Sequence, residues 1–173
     1  MCYLSTDREI ADVPFDENDR KFNIKRIDET NRNYPACFTK RFVYYCGSSF
    51  GCGCGFGKME ITEELLQQTE RELLAGGVSE KTGGDWWKQE HPPKDKSECD
   101  EIRASHRDNA ALFGLITETL NYGYPCELLV CWADNEKNFP TETDDIDLSR
   151  EPIVIDFRAA WNDSILLYRF CNP

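Results

Sequence analysis

The sequence predicts an α+β fold, with mixed α/β order along the chain: a single domain, mainly antiparallel sheet with two helices packed on it and a C-terminal β-hairpin. Three observations carry this prediction. Short apolar runs of strand character lie toward both ends of the chain, and two stretches of helical periodicity lie between them. No internal repeat divides the 173 residues, a length that suits one core.

Met1 to Ser5 and Phe22 to Ile27 are short strand candidates. Arg41 to Cys46 (RFVYYC) sets Phe42, Tyr44 and Cys46 on one face and Val43 and Tyr45 on the other. Ile61 to Gly77 reads as the first helix. Thr62 can cap it, Glu63 and Glu64 suit its positive end, and Gly76-Gly77 stop it. Its apolar stripe is Leu65, Leu66, Leu73 and Leu74, bridged by the methyl group of Thr69. Residues 78–97 have no period and read as a long mobile loop or insertion. In it Trp86 and Trp87 either pin the loop to the domain or form a lid or a partner-binding patch. The second helix begins near Ser97 and ends at Asn121 before Gly123. Ile102, His106, Ala110, Phe113, Ile116 and Leu120 fall at helical spacing along it.

Cys126 to Trp132 (CELLVCW) is almost continuously apolar, as a central strand is. Asp134 and Glu136 then read as its solvated end. FPTETDDIDLSREP, with Glu142, Asp144, Asp145 and Asp147, reads as an acidic surface loop leading into a short strand or turn. Two closing runs, PIVIDFR and SILLYRF, flank an Asn162-Asp163 pair that suits a hairpin turn.

The formal net charge is −12, from 32 acidic and 20 basic residues. Such a surface repels phosphate backbones, and only short basic clusters interrupt it, so nucleic acid is not an expected ligand. A basic protein is the expected partner. No apolar run reaches the roughly 18 residues of a membrane helix. The charged N-terminus has no apolar core of the signal-peptide kind. Nine cysteines, an odd number, then favour a cytoplasmic, reduced protein over a disulfide framework.

The stretch YYCGSSFGCGCGF, residues 44–56, poses the functional question. Cys46, Cys52 and Cys54 have the spacing C-x5-C-x-C. As thiolate ligands they would take zinc, with Cys2, Cys37 or Cys131 as the fourth ligand. Cys99 and His106 would sit roughly 10 Å apart along one helix, too far to share an ion. As a thiol enzyme the stretch would use Cys52 or Cys54 as nucleophile and His91 as base, because His106 lies on the apolar stripe. No C-x-x-C motif is present, and the pattern GSSFGCGCGFGK is not a phosphate loop. The structural reading is a corner whose glycines permit close backbone approach and whose cysteines fill small core spaces.

Gly51 to Phe56, together with Cys131, Trp132 and Asp134, resembles a group of small uncharacterised bacterial proteins. These share a GCGCGF-type turn after an aromatic strand and a C-W-x-D strand end. The resemblance implies a bacterial, cytoplasmic, single-domain protein and no activity. Three function classes are thereby expected to compete. They are an acidic protein-binding module of the immunity or inhibitor kind, a zinc protein using Cys46, Cys52 and Cys54, and a cysteine-dependent enzyme. The first is favoured, with no cofactor assigned.

Overall fold

The computed structural model describes residues 1–56, 62–75, 95–148, 155, 157 and 164–171. Its strands are β1 (Cys2–Thr6), β2 (Asn23–Ile27), β3 (Phe42–Gly47), β4 (Cys126–Val130), β5 (Glu142–Asp147) and β6 (Leu166–Cys171). Its helices are α1 (Glu63–Leu74) and α2 (Lys96–Asn121), with a 3-10 turn at Gly53–Gly55. The strands form one sheet in the order β2-β3-β1-β4-β6-β5. Every neighbouring pair is antiparallel except β5 and β6, which run parallel. This is the α+β domain that the strand and helix patterns predict.

The side-chain alternation of each strand divides the core. One face collects Cys2, Leu4, Tyr44, Cys46, Leu128, Val130, Tyr168 and Phe170, and α2 covers it with Leu112, Ile116 and Leu120. The other face collects Tyr3, Leu129, Cys131 and Leu167, and residues Cys37 and Phe38 pack against it. With both faces covered, the central strands β1 and β4 are buried along their whole length.

Asp95 caps α2 by accepting a hydrogen bond from Glu98 N at 2.9 Å, and Gly123 ends it with φ of +83°. The buried side of α2 differs from the expected stripe. It holds Cys99, Ile102, Ser105, Asp108, Asn109, Leu112, Ile116, Thr119 and Leu120, whereas Ala110 is exposed and His106 and Phe113 are half-buried. Polar residues therefore occupy part of the inner face, which hydropathy assigns to solvent. On α1, Leu66 and Thr69 are buried, so the threonine does complete the stripe, but Leu74 is exposed. Arg103 of α2 clamps α1 by donating to Glu63 and Glu70 at 2.7–3.2 Å.

The last strand has its two neighbours in β4 and β5, so the C-terminal strand pair is β5 with β6, in parallel. Most of the expected first arm, PIVIDFR, lies outside the described residues. The acidic run expected as a surface loop leading into a short strand or turn contributes a strand, β5, whose Ile146 is buried in the same core as Phe170 while Glu142, Thr143, Asp144 and Asp145 are exposed. Among the described residues no helix is long and apolar enough to cross a membrane.

Candidate functional site

The glycine–cysteine corner leaves β3 at Gly47 and folds back over the end of β1. Ser48 N and Ser48 Oγ both donate to Cys52 O, at 2.9 and 2.7 Å, and Gly51 turns the chain with φ of +76°. Gly53 N donates to the Tyr45 hydroxyl at 3.2 Å. A Cβ at Gly53 would stand 2.8 Å from Cys2 N and 3.0 Å from Met1 C, so only glycine lets the turn lie on β1.

The corner is tied to α2 through a buried carboxylate. Asp108 Oδ2 accepts from Ser49 N at 2.8 Å and from Ser49 Oγ at 2.7 Å, all of it buried. Beside Asp108, the amide of Asn109 is completely buried and has no hydrogen-bond partner among the described residues. A second carboxylate cluster lies on the opposite face of the sheet. Glu127 accepts from Ser5 Oγ at 2.9 Å and from Thr39 N and Oγ, both at 2.8 Å, while Arg169 Nε stands 3.8 Å away. Glu136, expected at a solvated strand end, is buried and accepts from the Tyr3 hydroxyl at 3.1 Å. Burial, then the Glu136 charge, pushes the Tyr3 hydroxyl pKa far up.

The three cysteines of the candidate metal set are placed differently. Cys46 is fully buried, and burial followed by a hydrogen bond with Cys2 raises its thiol pKa. Cys52 is half-buried and disulfide-bonded, so in this state it is neither a thiolate ligand nor a nucleophile. Cys54 lies in the 3-10 turn, and its side chain is outside the described residues. Of the proposed fourth ligands, Cys2 lies beside Cys46. Cys37 and Cys131 belong to the other face of the sheet, where burial pushes their thiols up to about 11 and about 12. Among the described residues no three His, Cys, Asp or Glu side chains are grouped to hold one ion. His91, Trp86 and Trp87, and with them the 78–97 loop apart from its last few residues, lie outside the described residues.

Trp132 is half exposed and Asp134 adopts a positive φ of 70°, so the C-W-x-D end of β4 is a turn that sends Glu136 back into the core. Hydropathy missed Asp108, Glu127 and Glu136. The available signal was local: Ser49 in a glycine-rich turn and Ser5 within an apolar strand are short donors that need acceptors once buried.

No family model matches this chain, and no curated protein or solved structure gave a match.

Proposed function

We propose that this protein is an acidic binding module that docks a basic protein segment along the outer edge of its sheet. The observation that carries the reading is β5. It is the last strand in the sheet order, and Glu142, Thr143, Asp144 and Asp145 are exposed along it. Among the described residues no strand pairs with its outer side, so its backbone donors and acceptors on that side have the geometry that strand addition uses.

The side chains set the chemistry of the partner. Arg169 is the one cation paired with this strand among the described residues, 3.9 Å from Asp145. Lysine or arginine on an incoming strand would meet carboxylates at alternate positions, and the overall charge of −12 would speed encounter with a basic surface. The same acidic side chains discourage pairing of two copies of β5, because like charges would face one another. A bacterial cytoplasmic setting belongs to this proposal. What supports that setting is the seven described free thiols, at Cys2, Cys37, Cys46, Cys99, Cys126, Cys131 and Cys171, set against the one described disulfide-bonded sulfur, at Cys52.

The test is affinity capture from cell extract at about 50 mM and about 500 mM salt, since surface ion pairs are screened over that range. Titration of the captured protein, once purified, against the unaltered chain follows. A basic partner that binds at low salt, and is lost in the Glu142→Gln, Asp144→Asn, Asp145→Asn variant, supports the reading. Binding that ignores both salt and the triple substitution contradicts it, as does the recovery of no partner.

A further inference from the structure

Two free thiols that strand docking leaves unused face one another inside the sheet. The β1–β3 ladder pairs Tyr3 with Tyr45, and its next step sets Cys2 across from Cys46. Both are fully buried in the α2-covered core, both are free, and Cys2 is near enough to Cys46 to raise its thiol pKa. Opposed residues of antiparallel strands have Cα atoms about 4.5–5.5 Å apart. A disulfide spans Cα separations of about 4.4–6.8 Å. The backbone therefore already holds these two residues within bonding range, with no strand movement required.

We propose that Cys2 and Cys46 are a disulfide-forming pair, oxidised in place by a low-molecular-weight disulfide. In the first step one of the two thiols gives up its proton and attacks a sulfur of the incoming disulfide. A mixed disulfide forms, and one small thiolate leaves and takes up a proton. In the second step the remaining protein thiol, deprotonated in turn, attacks the protein-side sulfur of the mixed disulfide. The Cys2–Cys46 bond forms and the second small thiol is released. Two protein thiols are oxidised and one external disulfide is reduced to two thiols.

The glycine corner controls access to the pair. Gly53 lies against the backbone of Met1 and Cys2, and the loop that carries it is already disulfide-bonded at Cys52. An oxidant reaches the thiols only when this loop lifts, so the oxidation rate follows the opening equilibrium of residues 47–56. Burial acts in the same direction, since it raises the Cys46 thiol pKa and keeps the thiolate scarce while the loop is down.

The experiment incubates the full chain with oxidised glutathione at neutral pH, quenches with an alkylating reagent in denaturant, and maps the cross-linked peptides. The expected product joins the peptides of Cys2 and Cys46, with Cys99 and Cys126 still alkylatable. Cys46→Ala should leave Cys2 without a cross-link. The map of the unaltered chain stands even if that variant fails to fold. Gly53→Ala, which pries the loop from β1, should speed the reaction about tenfold or more by raising the open population. The proposal is overturned if Cys2 and Cys46 stay reduced while the exposed Cys171 reacts. It is overturned equally if they stop at mixed disulfides, or if the cross-link joins Cys37 to Cys131 instead.

Discussion

Glu127 and Asp108 are both buried carboxylates, each on its own side of the sheet, but they are held by different numbers of partners. Glu127 takes three hydrogen bonds from Ser5 and Thr39 and has Arg169 nearby, so it joins β1, β4, β6 and the segment before β3. Asp108 takes two bonds, both from Ser49, and among the described residues no cation pairs with it. The first carboxylate is a junction of several segments and the second is a single tether. The same chemical device thus serves two purposes. Glu127 fixes the sheet's second layer, whereas Asp108 fixes only where the glycine corner rests on α2.

Removing each carboxylate should expose that difference. Glu127→Ala strips the acceptor from one buried and two part-buried donors and leaves Arg169 with Asp145 alone. It should cost about 3 kcal/mol in urea unfolding. Gly53→Ala tests the corner from its other side, because its Cβ would meet backbone atoms that have no rotamer to yield with. It should cost about 2 kcal/mol by the same assay. Asp108→Asn keeps the shape and loses the charge-assisted bonds to Ser49, at about 1 kcal/mol. A larger loss for Asp108→Asn than for Glu127→Ala would reverse the comparison.

The smallest effect concerns the clamp between the helices. Hydrogen bonds from Arg103 hold the carboxyls of Glu63 and Glu70 below the ordinary value of 4.5. Their contribution is therefore complete above that value and is lost as pH falls through the lowered ones. Hydrogen exchange of α1 should quicken in acid while β1 and β4 stay protected, and Arg103→Ala should remove that pH dependence. Equal loosening of helix and sheet would show that the clamp is not local.

The sheet was legible where burial follows hydropathy. RFVYYC and CELLVCW become β3 and β4, and the expected helix from Ser97 to Asn121 matches α2 within a residue. Legibility failed where polar atoms are buried in pairs. The inner side of α2 turns toward Ser105, Asp108 and Asn109 because Asp108 must reach Ser49, a partner 59 residues away that no local period encodes. Glu127 passed unnoticed within an apolar strand for the same reason, its donors lying on β1 and ahead of β3. Glu136 was assigned to water because the positive φ at Asp134, which redirects the chain, leaves no hydropathy signal. β5 was hard to see because an edge strand with one buried side chain, Ile146, resembles an acidic loop. Of the candidate site, the sequence marked the three cysteines but not their states: one thiol in the core and one sulfur in a disulfide.

The most direct test of the two-anchor account is native-state hydrogen exchange on Glu127→Gln and Asp108→Asn, read at the amides of Thr39 and Ser49. Both amides donate to the carboxylates in question, at 2.8 Å each. Glu127→Gln should quicken exchange at Thr39 and leave Ser49 protected, and Asp108→Asn should do the opposite. Release of both amides by either substitution would contradict the two-anchor account.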